Sequence, residues 1–260
     1  MLVPLAGFGL MLKTPTEGSG EPTISRQAAP QESLSTADAL RRPDFWLLFL
    51  IVFLSMGSGL VLLNHAGQMV AALGGDQTRT AMLVSLISIA NCVGRVMLGL
   101  VPDALGDRFS RTFFLLGNTV IMICAQLILA YGSIETLFLG GLITGFAYGG
   151  FWTLVPSLVA EFFGTKFFAS LYNCLSLAIS GASLVFSTWL ASRLYEGQAA
   201  SHPGPSGGCA GSKCYRNTHL LLAASSCLAM LAAAVLNARR RRGADSWPMA
   251  RMMDVSLAEQ

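Results

Sequence analysis

The sequence predicts an all-α polytopic membrane protein, and three observations predict it. Hydrophobic residues make up 53% of the chain and charged residues only 12%, about half the charged share of a soluble domain. So few charges cannot clothe a globule of 260 residues in a polar surface. Second, six uninterrupted apolar runs approach or exceed the roughly 20 residues that a helix needs to cross a hydrocarbon core. Third, the loops between those runs differ sharply in positive charge. The runs lack the polar and apolar alternation that a membrane barrel strand requires. A net charge of +3, with one basic run directly after an apolar stretch, excludes nucleic acid as a partner.

Taken in order, Leu2 to Leu12 is apolar and ends at Lys13. It is too short to span, and no positive charge precedes it as in a signal peptide. Residues 1–12 therefore read as the tail of a preceding transmembrane helix, the other reading being a peripheral apolar start. Residues 13–44, rich in Thr, Ser, Glu, Pro and Gln, read as a disordered cytoplasmic linker. The transmembrane region, residues 45–237, holds spans at Phe45 to Leu73, Thr80 to Val101, Thr112 to Tyr131, Thr136 to Val159, Phe167 to Ser192 and Thr218 to Asn237. Residues 238–260 form a cytoplasmic tail.

Six spans put both ends of the chain on one side. The loops on that side hold Lys13, Arg26, Arg41, Arg42, Arg108, Arg111, Lys166, Arg239 to Arg242 and Arg251; the other side holds only Arg79, Arg193, Lys213 and Arg216. The richer side is assigned to the cytoplasm. Trp46 and Trp189 lie near span ends, where an amphipathic ring suits the headgroup level.

Several spans carry a small or polar stripe at helical spacing. Asn173, Ser176, Ser180, Ser183 and Ser187 follow one another in the fifth span. Gly141, Gly145 and Gly149 recur in the fourth, beside Tyr148 and Trp152 and above Pro156. Ser85, Ser88, Asn91, Arg95 and Gly99 line one side of the second. Such stripes let helices approach closely in lipid, so a packing seam is the plain reading for the Ser and Gly positions.

Bulky polar groups carry more information. Asn64 and Gln68 are helical partners in the first span, next to His65, and an unpaired amide in hydrocarbon costs several kcal/mol. They must line a cavity or bond another helix. Gly57, Gly59 and Gly67 make the same helix a candidate for local unwinding. Arg95, the one charge well inside a span, is a functional candidate by default. Asp103 and Asp107 follow it, so a conformational ion pair of Arg95 with Asp103 or Asp107 is expected.

Cys92, Cys124, Cys174 and Cys227 lie inside spans as small apolar residues. Cys209 and Cys214 share a Gly-rich noncytoplasmic loop, where a disulfide is expected. His65 has no second ligand near it in sequence, so no metal site is predicted. No catalytic constellation is visible, neither G-x-S-x-G nor H-E-x-x-H nor a P-loop, and no cofactor is implied.

Specific residue patterns converge on a family. Gly94-Arg95-x-x-x-Gly99-x-x-x-Asp103 resembles the Gly/Asp/basic signature that major facilitator superfamily transporters carry after the second helix of each half. Asp44-Phe45-Trp46, Asn64-x-x-Gly67-Gln68, Trp152-x-x-x-Pro156, Glu161-Phe162-Phe163-Gly164 and Cys209-x-Gly211-x-x-Cys214-Tyr215 resemble the carboxy-terminal half of its nodulin-like, nuclear-fusion-defective branch. His65 departs from the relatives, which more often have another amide. The resemblance implies a twelve-helix protein in two halves, of which this chain supplies the second, with a small-molecule solute bound between them.

The expectation is a six-helix half of a facilitator-type secondary transporter, embedded in membrane lipid with cytoplasmic termini and working by alternating access. Its partner is a missing amino-terminal half or a second copy of itself. Asn64, Gln68, Tyr148, Trp152 and Asn173 are the expected pathway residues. The rival reading is a noncatalytic membrane adaptor acting through partner helices.

Overall fold

The computed structural model describes residues 34–106, 109–201 and 208–258, with side chains through residue 242. Residues 1–12 and most of the expected linker lie outside that range. The linker's last part is folded, which corrects the expectation of disorder through residue 44. Ser35 caps α1 (Thr36–Arg41) by accepting a hydrogen bond from the Asp38 amide, and Ala39 is fully buried. The Leu34 amide donates to the Phe163 carbonyl at 3.1 Å. A helix this short is not stable alone; docking on the end of a long helix holds it.

Every element among the described residues is helical, and six stretches are long and apolar enough to cross a membrane. The first span, Pro43–Ala72, joins α2 (Pro43–Ile51), a π-helical segment (Val52–Met56) and α3 (Gly57–Ala72). Pro43 opens it at a position where a missing N–H costs nothing. The second span is α4 (Gln77–Ala104), started by Asp76, whose carboxylate accepts from the Arg79 amide. The third is α5 (Arg111–Leu129). The fourth is α6 (Ile134–Phe163), begun by a reciprocal box between Ser133 and Thr136 and ended at Gly164, whose φ of 81° a side chain would resist. The fifth span, Phe168–Ser201, joins α7 (Phe168–Ala182), a second π-helical segment (Ser183–Ala191) and α8 (Ser192–Ser201). The sixth, Arg216–Arg242, is the membrane part of α9 (Arg216–Ala258).

Glycine decides how these helices meet. A Cβ on Gly149 would stand 2.1 Å from the Asn91 carbonyl oxygen, and one on Gly94 would stand 2.1 Å from that of Phe146. Gly145 meets the Ile87 carbonyl in the same way at 2.6 Å. The stripe of glycines on α6 is thus the seam against α4. Helices in lipid gain contact through packing rather than through a hydrophobic effect between them, and only absent side chains allow this approach. The first span is not unwound at its glycines, contrary to expectation. It widens into the π-helical segment just before Gly57, where a Cβ would meet Ala182 Cβ at 2.5 Å. Gly57 therefore serves the contact between the first and fifth spans.

The bundle places α6 between α4 and α5, with α9 on the other side of α5, and span one bridging α9 and span five. One apolar cluster gathers Phe45, Phe151, Phe163 and Leu236; a second gathers Val61, Leu83, Leu129 and Leu222. Burial is uneven. The most apolar stretches of the first and fourth spans are 61% buried, against 17% for the second and 33% for the fifth. Spans two and five thus carry the open surface of the bundle.

Candidate functional site

Asn64 and Gln68 are both exposed on α3 and yet both are hydrogen-bonded. The Asn64 Nδ2 donates to Ser187 Oγ at 2.9 Å, reaching across to the fifth span. The Gln68 Oε1 accepts from the Tyr215 hydroxyl at 2.8 Å and lies 2.9 Å from His65 Nδ1. His65 Nε2 is 3.0 Å from the Ser187 carbonyl oxygen. Each amide therefore bonds to another element, the second of the two readings left open by the sequence, while part of its surface stays exposed. Ser187 and Tyr215 join Asn64, His65 and Gln68 in a polar cluster that is invisible in sequence, because Ser187 lies 122 residues from His65 and Tyr215 lies 147 from Gln68.

Tyr215 sits at the end of the disulfide loop. Cys209 and Cys214 are bonded, with Cα atoms 5.8 Å apart. The Gly211 amide donates to the Ala72 carbonyl at 2.8 Å, and the Cys209 amide donates to the Tyr195 hydroxyl at 3.0 Å. The loop is thereby tied to the end of α3 and to α8, which fixes Tyr215 against Gln68. Burial, and after it the neighbouring Tyr195 phenol, pushes the Tyr215 pKa up, so its hydroxyl stays neutral.

A second group lies on α4, α6 and α7. Tyr148 is buried and Trp152 half-buried, their rings edge to face at 6.2 Å. The Arg95 guanidinium lies 5.6 Å from the centre of the Trp152 ring, and its Nε donates to Asn91 Oδ1 at 2.9 Å. Its charge reaches Tyr148 and Tyr172. Asn173 is exposed beside Tyr172 on α7. The Ser stripe behind Asn173 does not pack as a seam. Ser176 and Ser180 donate to the Tyr172 and Ser176 carbonyls of their own helix, Ser180 is exposed, and Ser187 alone is buried.

The expected pair of Arg95 with Asp103 is not made. Asp103 pairs with Arg111 at 2.7 Å instead. Eight residues along a helix is a rise of about 12 Å, too far for Arg95 to reach back, whereas Arg111 starts the next helix close by. Asp107 lies outside the described residues. The Arg111 pair belongs to a charged belt that joins five helices at one end of the bundle. Arg111 also faces Glu161 at 3.9 Å, Arg240 pairs with Glu161 and covers the Phe162 ring at 4.2 Å, and Arg239 holds Asp44 at 2.8 Å. In the sequence Asp44 and Glu161 stand out as motif residues and Arg239 to Arg242 as a basic run. Their pairing is invisible in sequence, since 195 residues separate Asp44 from Arg239.

A family model described as NFD4, C-terminal domain, matches residues 31–245. Among curated proteins, the uncharacterized MFS-type transporter YhjX of Escherichia coli is 29% identical over 157 residues, which cover 59% of this chain and 38% of that protein. The probable transporter MCH1 of Saccharomyces cerevisiae is 26% identical over 203 residues, covering 73% and 40%. The oxalate:formate antiporter of Oxalobacter formigenes is 27% identical over 154 residues, covering 59% and 36%. The chain spans about two fifths of the length of these relatives.

Proposed function

The chain belongs to the NFD4 C-terminal domain family, and from that premise we propose that it forms one half of a facilitator-type carrier for a small organic anion. A second half of similar build completes it, supplied either by an amino-terminal partner or by a second copy. The solute sits where the two halves meet, near the middle of the membrane, and rocking of one half on the other alternates its exposure. In this reading the basic loops, with the charged belt of Arg111, Glu161 and Arg240, face the cytoplasm, and the Cys209–Cys214 loop faces the opposite, oxidising side.

The carrying observation is Arg95. An intramembrane cation is costly unless something pairs with it, and among the described residues it has an amide and an aromatic face but no carboxylate. It lies on the least buried span, next to Trp152 and Tyr148. A carboxylate solute supplies the missing countercharge, and a guanidinium binds one through two parallel hydrogen bonds. That one relative is an oxalate:formate antiporter supports the solute class. Asn64, Gln68 and Asn173 add hydrogen bonds, and the two aromatics shape the pocket.

The test uses membrane vesicles holding the complete transporter, with Cys92, Cys124, Cys174 and Cys227 replaced by Ser. Asn64→Cys, Gln68→Cys and Trp152→Cys should each react with a water-soluble thiol reagent, and oxalate or formate should slow the reaction. Inert thiols at all three positions would sink the pathway assignment. Protection by a neutral sugar and not by the carboxylates would sink the anion assignment alone.

A further inference from the structure

The hydrogen-bond chain through His65 admits only two complete arrangements. A backbone carbonyl accepts and cannot donate, so His65 Nε2, 3.0 Å from the Ser187 carbonyl, carries a hydrogen in both. The other ring nitrogen and the Tyr215 hydroxyl both contact the same end of the Gln68 amide, at 2.9 and 2.8 Å. When Nδ1 is bare, that end must be the NH2 group, donating to Nδ1 and to the Tyr215 oxygen. When Nδ1 carries a hydrogen, that end must be Oε1, accepting from both. In the structure the Gln68 Oε1 faces both the Nδ1 of His65 and the Tyr215 hydroxyl.

We infer that His65 is a proton-binding site and that its occupancy decides which end of the Gln68 amide is presented to the solute. Transfer of a proton from hydronium to Nδ1 breaks one O–H bond, forms one N–H bond and releases water, with no change of oxidation state. It turns the Gln68 amide over, so that the NH2 group faces the open side as a donor beside a new positive charge. Removing the proton turns the acceptor Oε1 outward. A carboxylate solute is favoured by the first state and opposed by the second, so proton and anion bind together. This coupling rests on the assignment of Gln68 to the pathway; the proton site itself does not.

The surroundings suit the role. The Tyr215 ring centre lies 6.0 Å from that of His65, and Tyr195 stands behind Tyr215 at 5.2 Å. Ser187 and Gln68 are neutral. The adjoining elements carry Asp76 and Arg79 at the start of α4, Arg193 and Glu196 on α8, and Lys213 and Arg216 around Tyr215. None of their carboxylates forms an ion pair with His65 among the described residues; Asp76 caps α4 through the Arg79 amide.

The experiment is nuclear magnetic resonance of the full chain in lipid nanodiscs, with histidine rings and glutamine side-chain amides isotope-labelled and His65→Gln used for assignment. Lowering the pH from about 8 to about 5 spans the ordinary protonation range of histidine. The His65 signal should pass from one protonated and one bare nitrogen to two protonated nitrogens, and the Gln68 amide should shift with the same midpoint. Gln68→Leu removes the acceptor for Nδ1–H, so its His65 midpoint should move to lower pH. A ring that stays neutral to pH 5, or that takes a proton while the Gln68 amide stays still, would overturn the proposal. A coupled titration together with an inert Gln68→Cys thiol would retain the proton site and remove the pathway assignment.

Discussion

The two sides of α4 are built by opposite rules. On the side toward α6, Gly94 lies so close to the Phe146 carbonyl that no side chain fits, and Leu83, Ile87 and Ala90 are buried. On the other side Ser85, Ser88 and Arg95 are exposed among Met82, Ile89 and Val96. The first side is complete within the chain. The second mixes polar and apolar groups in a way that neither lipid nor water satisfies. In a membrane, where packing rather than the hydrophobic effect holds helices together, a finished surface is read from missing side chains. An unfinished one is read from polar groups that still need partners.

The sharpest way to break this comparison is on the finished side. Gly149→Val places a branched side chain against the Asn91 carbonyl, where even a Cβ would be 2.1 Å away. Backbone must move, and the expected loss is on the order of 4 kcal/mol or more, seen as loss of folded protein in detergent. Gly117→Ala, with nothing within 4 Å of the added Cβ, is the control and should fold normally. Equal behaviour of the two variants would remove the seam argument.

On the unfinished side, Arg95→Ala should leave the unfolding transition nearly unchanged while weakening carboxylate binding by roughly 10- to 100-fold, the worth of a charged hydrogen bond. Arg95→Lys should recover only part, lacking the planar fork. The readout is the oxalate concentration that protects a reactive pathway thiol. Loss of fold in Arg95→Ala would instead make this arginine part of the finished surface.

Smaller effects are expected at the two ends. Reducing the Cys209–Cys214 bond frees the loop that holds Tyr215, at a cost of about 2 kcal/mol; thermal unfolding with and without reductant measures it. In the charged belt, Arg240→Gln should cost less than about 1 kcal/mol, because the pair is more than a third exposed on the arginine side and exposed pairs contribute little. If the belt biases which face opens, Arg240→Gln should change the balance of conformations far more than the stability, which distance measurements between labelled halves would show.

The sequence by itself determined the class of the molecule and the positions of its spans, because apolar length is a local quantity set by the thickness of the hydrocarbon core. It also determined the Cys209 and Cys214 pairing, which needs only proximity along the chain, and it drew attention to Asn64, Gln68 and Arg95, because polar groups in an apolar run are conspicuous wherever they point. Tertiary structure decided the partners. Whether the stripe of Gly141, Gly145 and Gly149 is a seam and the stripe of Asn173 and Ser180 an open face depends on which helix lies opposite, since either stripe keeps to one face of its helix. Arg111 rather than Arg95 holds Asp103 because a helix keeps its own residues apart while a turn brings the next helix back. Asp44 meets Arg239, and His65 meets Ser187, only when the spans that carry them stand side by side. Composition records what each residue needs, and only the packed chain supplies it.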